Sequence, residues 1–83
     1  MRHADSAALE SVVALLAKVR TYPQLTERKP GIFYRKSGAF LHFHEDLAGL
    51  FADVKVGKAF ERMPVNSPPE QRALLTKVGA LLR

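Results

Sequence analysis

The sequence has no cysteine. That excludes a disulfide scaffold, thiol catalysis and a Cys-ligated zinc site, and it fits a reducing compartment. No apolar run approaches the roughly 18 residues that a membrane helix needs. The N-terminus lacks the long apolar stretch of a signal peptide. No five basic residues stand in a row, although 13 Lys and Arg outweigh 8 acids for a net charge of +5. There is no internal repeat, low-complexity tract or long linker. These absences point to one domain over residues 1–83, soluble and cytoplasmic, with no membrane association and no cofactor.

What is present is a small amount of chain for one core. A domain of 83 residues buries about 60–65% of the surface its unfolded form exposes. Its stability is then about 5–10 kcal/mol. Oligomerisation is a common remedy for so small a core. The basic balance, with a pI near 10.0, is the compositional footprint of a nucleic-acid binder. It also serves solubility alone.

Residues 6–20 predict an amphipathic helix. Asp5 or Ser6 suits its N-cap, and Leu9, Val12, Val13, Leu16 and Val19 form its apolar stripe. Thr21-Tyr22-Pro23 ends it, and residues 21–30 read as a loop. Four strands follow, at Ile32–Arg35, Phe40–His44, Leu50–Val56 and Phe60–Met63, separated by short turns. Pro64 suits an edge. Ser67-Pro68-Pro69-Glu70 opens a second helix with Ser at the N-cap, Pro at the first helical position and Glu at the third. That helix carries Leu74, Leu75, Val78, Leu81 and Leu82 on one face. The expected fold class is α+β. The order is α-β-β-β-β-α, a four-stranded antiparallel meander with both terminal helices on one face.

Strand residues alternate between faces. With Ser37-Gly38 as a two-residue loop and Glu45–Ala48 as the next, one face collects Ile32, Tyr34, Leu41, Phe43, Leu50, Ala52, Val54 and Val56 as core. The other collects Phe33, Arg35, Phe40, His42, His44, Phe51, Asp53 and Lys55. A solvated sheet face is normally more uniformly polar, and a contiguous aromatic patch marks a partner. This is the expected binding face.

"GAFLHFHED", Gly38 to Asp46, concentrates the chemistry. His42 and His44 point the same way, about 7 Å apart along the strand. Asp53 or Glu45 would complete a 2-His-1-carboxylate metal set. H-x-H alone supplies two ligands, so strand histidines without a metal are the expectation. His42 beside Asp53 would make an oriented general base. No nucleophile stands out, so no catalytic residue is assigned. Asp53 also has Arg62 in reach across the next hairpin. Aromatics on an open sheet with Arg35 and Lys55 at hand would stack bases and meet phosphates. Lys36 to Phe43 matches the RNA-recognition octamer only in part, and no helix fits among the strands.

The stretch from Leu25 to Lys55 resembles the MmcQ/YjbR-like family of small bacterial α+β proteins. Leu25, Thr26, Glu27, Phe33, Arg35, Phe40, His44, Glu45, Asp46, Gly49 and Leu50 carry the resemblance. It implies an α+β fold and, as the family is commonly described, DNA binding. The leading expectation from the residues is a non-enzymatic interaction domain, homodimeric through the Phe33/Phe40/Phe51 face. Nucleic-acid binding by the same face is the alternative.

Overall fold

The structure, a computed structural model, describes residues 2–83. Asp5 caps the first helix by accepting from the Ala8 N–H at 2.9 Å. The helix runs as α1 (Ser6–Leu9), a 3₁₀ turn (Glu10–Val12) and α2 (Val13–Val19). A 3₁₀ turn advances about 120° per residue against 100° for an α-helix, so three residues rotate the apolar stripe by about 60°. Val13, expected in the core, is therefore 59% exposed, and Leu15 is buried in its place.

Five strands form an antiparallel meander in chain order. They are β2 (Leu25–Lys29), β3 (Ile32–Arg35), β4 (Gly38–Asp46), β5 (Gly49–Val56) and β6 (Ala59–Pro64). The expected four become five because β2 occupies the segment read as a loop. Pro30-Gly31 makes the hairpin turn that joins it to β3. Gly31 has φ +76°, the value that the second central residue of a type II turn requires. The two-residue strand β1 (Arg2–His3) lies beside β4, with His3 opposite His44 and Arg2 opposite Glu45. β3 stops opposite His42, so β1 takes the stretch of β4 edge that β3 leaves open.

Register corrects the expected faces. The β3–β4 loop is Lys36-Ser37, with Arg35 opposite Gly38. A bulge follows: Tyr34 pairs with Ala39, but Phe33 pairs with Leu41. Phe40 is the extra residue, and it turns inward with Leu41, so both are buried. The one-residue shift flips β3. Phe33 joins the core, and Ile32 and Tyr34 go to the open face. Arg35 lies on the helix side and donates to the Leu81 carbonyl at 3.3 Å.

The β4–β5 loop is Leu47-Ala48, so Glu45 and Asp46 are strand residues rather than turn. This moves the pairing by two residues and leaves parity unchanged. Leu41, Phe43, Leu50, Ala52 and Val54 are core, as expected. Val56, at the strand end, is exposed.

The second helix, α3 (Pro68–Leu81), starts as read: the Ser67 hydroxyl accepts from the Glu70 N–H at 3.3 Å. Glu70 reaches back one residue further than a capping box does, accepting from the Asn66 N–H at 2.8 Å. Leu74, Val78 and Leu82 are buried, and Leu75 and Leu81 pack at the margin. Both helical segments share one hydrophobic core with the inner sheet face. The fold is α+β, and among the described residues no helix covers the other sheet face. No helix among the described residues is long and apolar enough to cross a membrane.

Candidate metal centre on the open sheet face

Strand alternation builds this face. β4 presents His42 and His44, and β5 presents Phe51, Asp53 and Lys55. β6 presents Phe60, Arg62 and Pro64 opposite Lys55, Asp53 and Phe51. Of the eight residues expected here, His42, His44, Phe51, Asp53 and Lys55 are present. Phe33 and Phe40 are in the core, and Arg35 has turned to the helices. The aromatic residues of the face are therefore Tyr34, Phe51 and Phe60.

β1 adds a residue that sequence reasoning missed. His3, opposite His44, completes a cluster with His42 and His44 whose candidate ligand atoms all lie within 4.8 Å of one another. The rings stand 4.8 Å apart for His3–His44 and His42–His44, and 5.8 Å for His3–His42. Nothing local to Arg2-His3-Ala4 signals this, because only long-range pairing with β4 brings His3 there.

His42 Nδ1 and His44 Nε2 are 2.6 Å apart. Two imidazole nitrogens this close each direct a lone pair or an N–H into the gap. Two lone pairs repel, and so do two N–H groups. One shared proton or a cation relieves the contact. Burial of His42, followed by the charge of His44, pushes its imidazolium below the ordinary histidine value; His3 and Arg62 act the same way and Asp53 opposes them. The ring is thus favoured as neutral imidazole, the form that binds metals.

Asp53 is 7% exposed. It accepts from Arg62 Nε at 2.8 Å and Nη2 at 2.9 Å, the pairing foreseen across the hairpin. Its Oδ2 lies 3.3 Å from His44 Nε2. The hydrogen bonds from Arg62 hold its carboxyl below the usual carboxylate range, helped by the charges of Arg62, His44 and His42 against the opposing effect of burial. With both oxygens engaged by Arg62, Asp53 stands beside the His44 nitrogen that faces His42 and does not lead the ligand set. Phe60 closes the other side, its ring 4.8 Å from His42.

Set against protein-family models, curated proteins and solved structures, the chain matches none.

Chemically, three imidazoles suit zinc, copper or nickel. A tetrahedral ion with Zn–N bonds of 2.0–2.1 Å sets its donor nitrogens about 3.3 Å apart. His3 is exposed, so its ring can turn to close the set, and His42 and His44 need to part by less than about 1 Å. Of the two cations expected to meet phosphate, Lys55 is on this face and Arg35 is not. Both line a second cleft, of about 520 Å³, with Lys36 at the end of the sheet.

Proposed function

We propose that this chain is a small metal-binding domain that holds a transition ion, zinc or nickel, on His3, His42 and His44. One observation carries the reading: three imidazoles from two neighbouring strands converge, and two of their nitrogens approach to 2.6 Å. Favoured as neutral, His42 offers its lone pair without first losing a proton. Asp53, itself fixed by Arg62, lies 3.3 Å from the same His44 nitrogen and adds negative charge beside the ion.

Zinc titration is expected to shift the ring resonances of all three histidines together. At a free zinc concentration of 100 times Kd, stability should rise by about 2.7 kcal/mol. His3→Ala should weaken affinity by roughly a hundredfold or more, at or beyond the upper end of what losing an outer-shell partner costs. The double variant His42→Ala/His44→Ala should abolish binding. Resonances and unfolding midpoint that ignore both zinc and nickel would remove the reading.

Self-association through the same face is the second reading. It no longer draws on Phe33 and Phe40. Phe60, 44% exposed beside His42 on the edge strand β6, favours it, with Tyr34 and Phe51 on the same face. Light scattering at tens of micromolar is expected to give twice the 9.2 kDa chain mass, and a monomer mass throughout would dismiss it. The nucleic-acid alternative rests on the Arg35/Lys36/Lys55 cleft.

A further inference from the structure

The histidine cluster opens to one side. His3 and His42 form one wall of a cleft of about 750 Å³, whose lining includes Arg28, Lys29, Ile32 and Tyr34. Two features of β2 and β3 build the rest of the lining. A register shift lies between Glu27 and Lys29: Glu27 pairs with Phe33, and Lys29 with Ile32. Arg28 is the extra residue, so two consecutive cations line the open face where strict alternation would give one. The flipped β3 supplies Ile32 and Tyr34. Arg28 lies over the Tyr34 ring, its Cζ 4.5 Å from the centroid. Stacking uses the flat face of the guanidinium and leaves its N–H edge available to an oxyanion.

We infer that the cleft takes a small carboxylate with an aromatic or apolar body, which occupies the coordination position that three histidines leave open on the ion. This rests on the metal reading above. Three protein ligands leave a tetrahedral ion one position for a water or an exogenous donor. The cleft beside that position holds two cations and no acid among its lining residues, so an anionic donor is favoured. Ile32 and the Tyr34 ring give the body of the ligand an apolar wall, which an inorganic anion would not use. One carboxylate oxygen meets the ion, and the other faces Arg28 and Lys29.

The test uses the full chain loaded with cobalt(II), whose visible absorption reports the fourth ligand. Benzoate is the probe, and inorganic phosphate is the anion without an apolar body. Benzoate should change the cobalt spectrum saturably and at lower concentration than phosphate. In R28Q/K29Q its half-saturating concentration should rise roughly tenfold or more, the scale of losing charge-assisted contacts. Cobalt affinity should stay that of the parent. Both substituted residues are exposed, and an unchanged unfolding midpoint would confirm an intact fold.

A cobalt spectrum indifferent to benzoate overturns the inference and leaves the metal reading standing. So does phosphate acting at the same or lower concentration, or a variant that answers benzoate as the parent does. Failure of cobalt to bind at all overturns both.

Discussion

Phe33→Ala is expected to cost about 3–5 kcal/mol, the usual range for emptying a buried aromatic site. Phe51→Ala should cost only about 1 kcal/mol, because its ring is half-buried on the open face. The contrast is a direct test of the bulge. With unbroken alternation and the loop at Ser37-Gly38, Phe33 and Phe51 would share the open face and the two costs would be alike. The bulge at Phe40 instead sets Phe33 against Leu41 inside the sheet, where Phe33 is fully buried. A domain of this size has about 5–10 kcal/mol in total, so F33A removes a large part of it. Urea unfolding measures this as a fall in midpoint with the slope retained. Equal midpoints for the two variants would mean that β3 faces the other way.

Much of the fold is legible because it follows from local pattern. Ser67-Pro68-Pro69-Glu70 starts its helix where the residue types require. His42 and His44 fall opposite Leu41 and Phe43 by the two-residue period alone, and β5 obeys the same rule. What stays hidden comes from departures of one residue. Ala39-Phe40-Leu41 is an apolar run that breaks alternation, and such a run is the available sign of a bulge. Glu10–Val12 tightens into a 3₁₀ turn, which moves the helix stripe from Val13 to Leu15. The charged segment Leu25–Lys29 does not have the composition of a strand. Pro30-Gly31 after it is a turn signal that could have revealed one. The candidate site suffered most. It needs His3, which only the β1–β4 pairing supplies, and Ile32 and Tyr34, which only the bulge exposes.

Glu27→Gln should lower stability by about 1–2 kcal/mol at pH 7, the low end for charge-assisted hydrogen bonds because Arg20 stays half solvated. Glu27 Oε1 accepts from Arg20 Nε at 2.6 Å. Its Oε2 accepts from Arg20 Nη2 at 3.0 Å and from the Gly31 N–H at 2.9 Å. These bonds tie the end of α2 to the β2–β3 turn. The hydrogen bonds from Arg20 hold the carboxyl below its ordinary value, with the Gly31 N–H and the Arg20 charge adding to them and burial opposing. A carboxyl with a depressed folded value releases its proton more readily in the folded chain. Its stabilisation is therefore complete above the unfolded value of about 4.3. It is lost as pH falls through the lower folded value. The gap between parent and E27Q, measured by urea unfolding, should be constant from pH 7 to 5 and close toward pH 2. A gap that widens with acid would contradict this linkage. The same pin bears on the cleft, because Arg28 and Lys29 sit between Glu27 and the turn it holds. Because it holds the turn that follows the register shift at Arg28, E27Q at pH 7 should weaken benzoate on the cobalt-loaded chain while leaving cobalt affinity intact, as none of the three histidines is on β2.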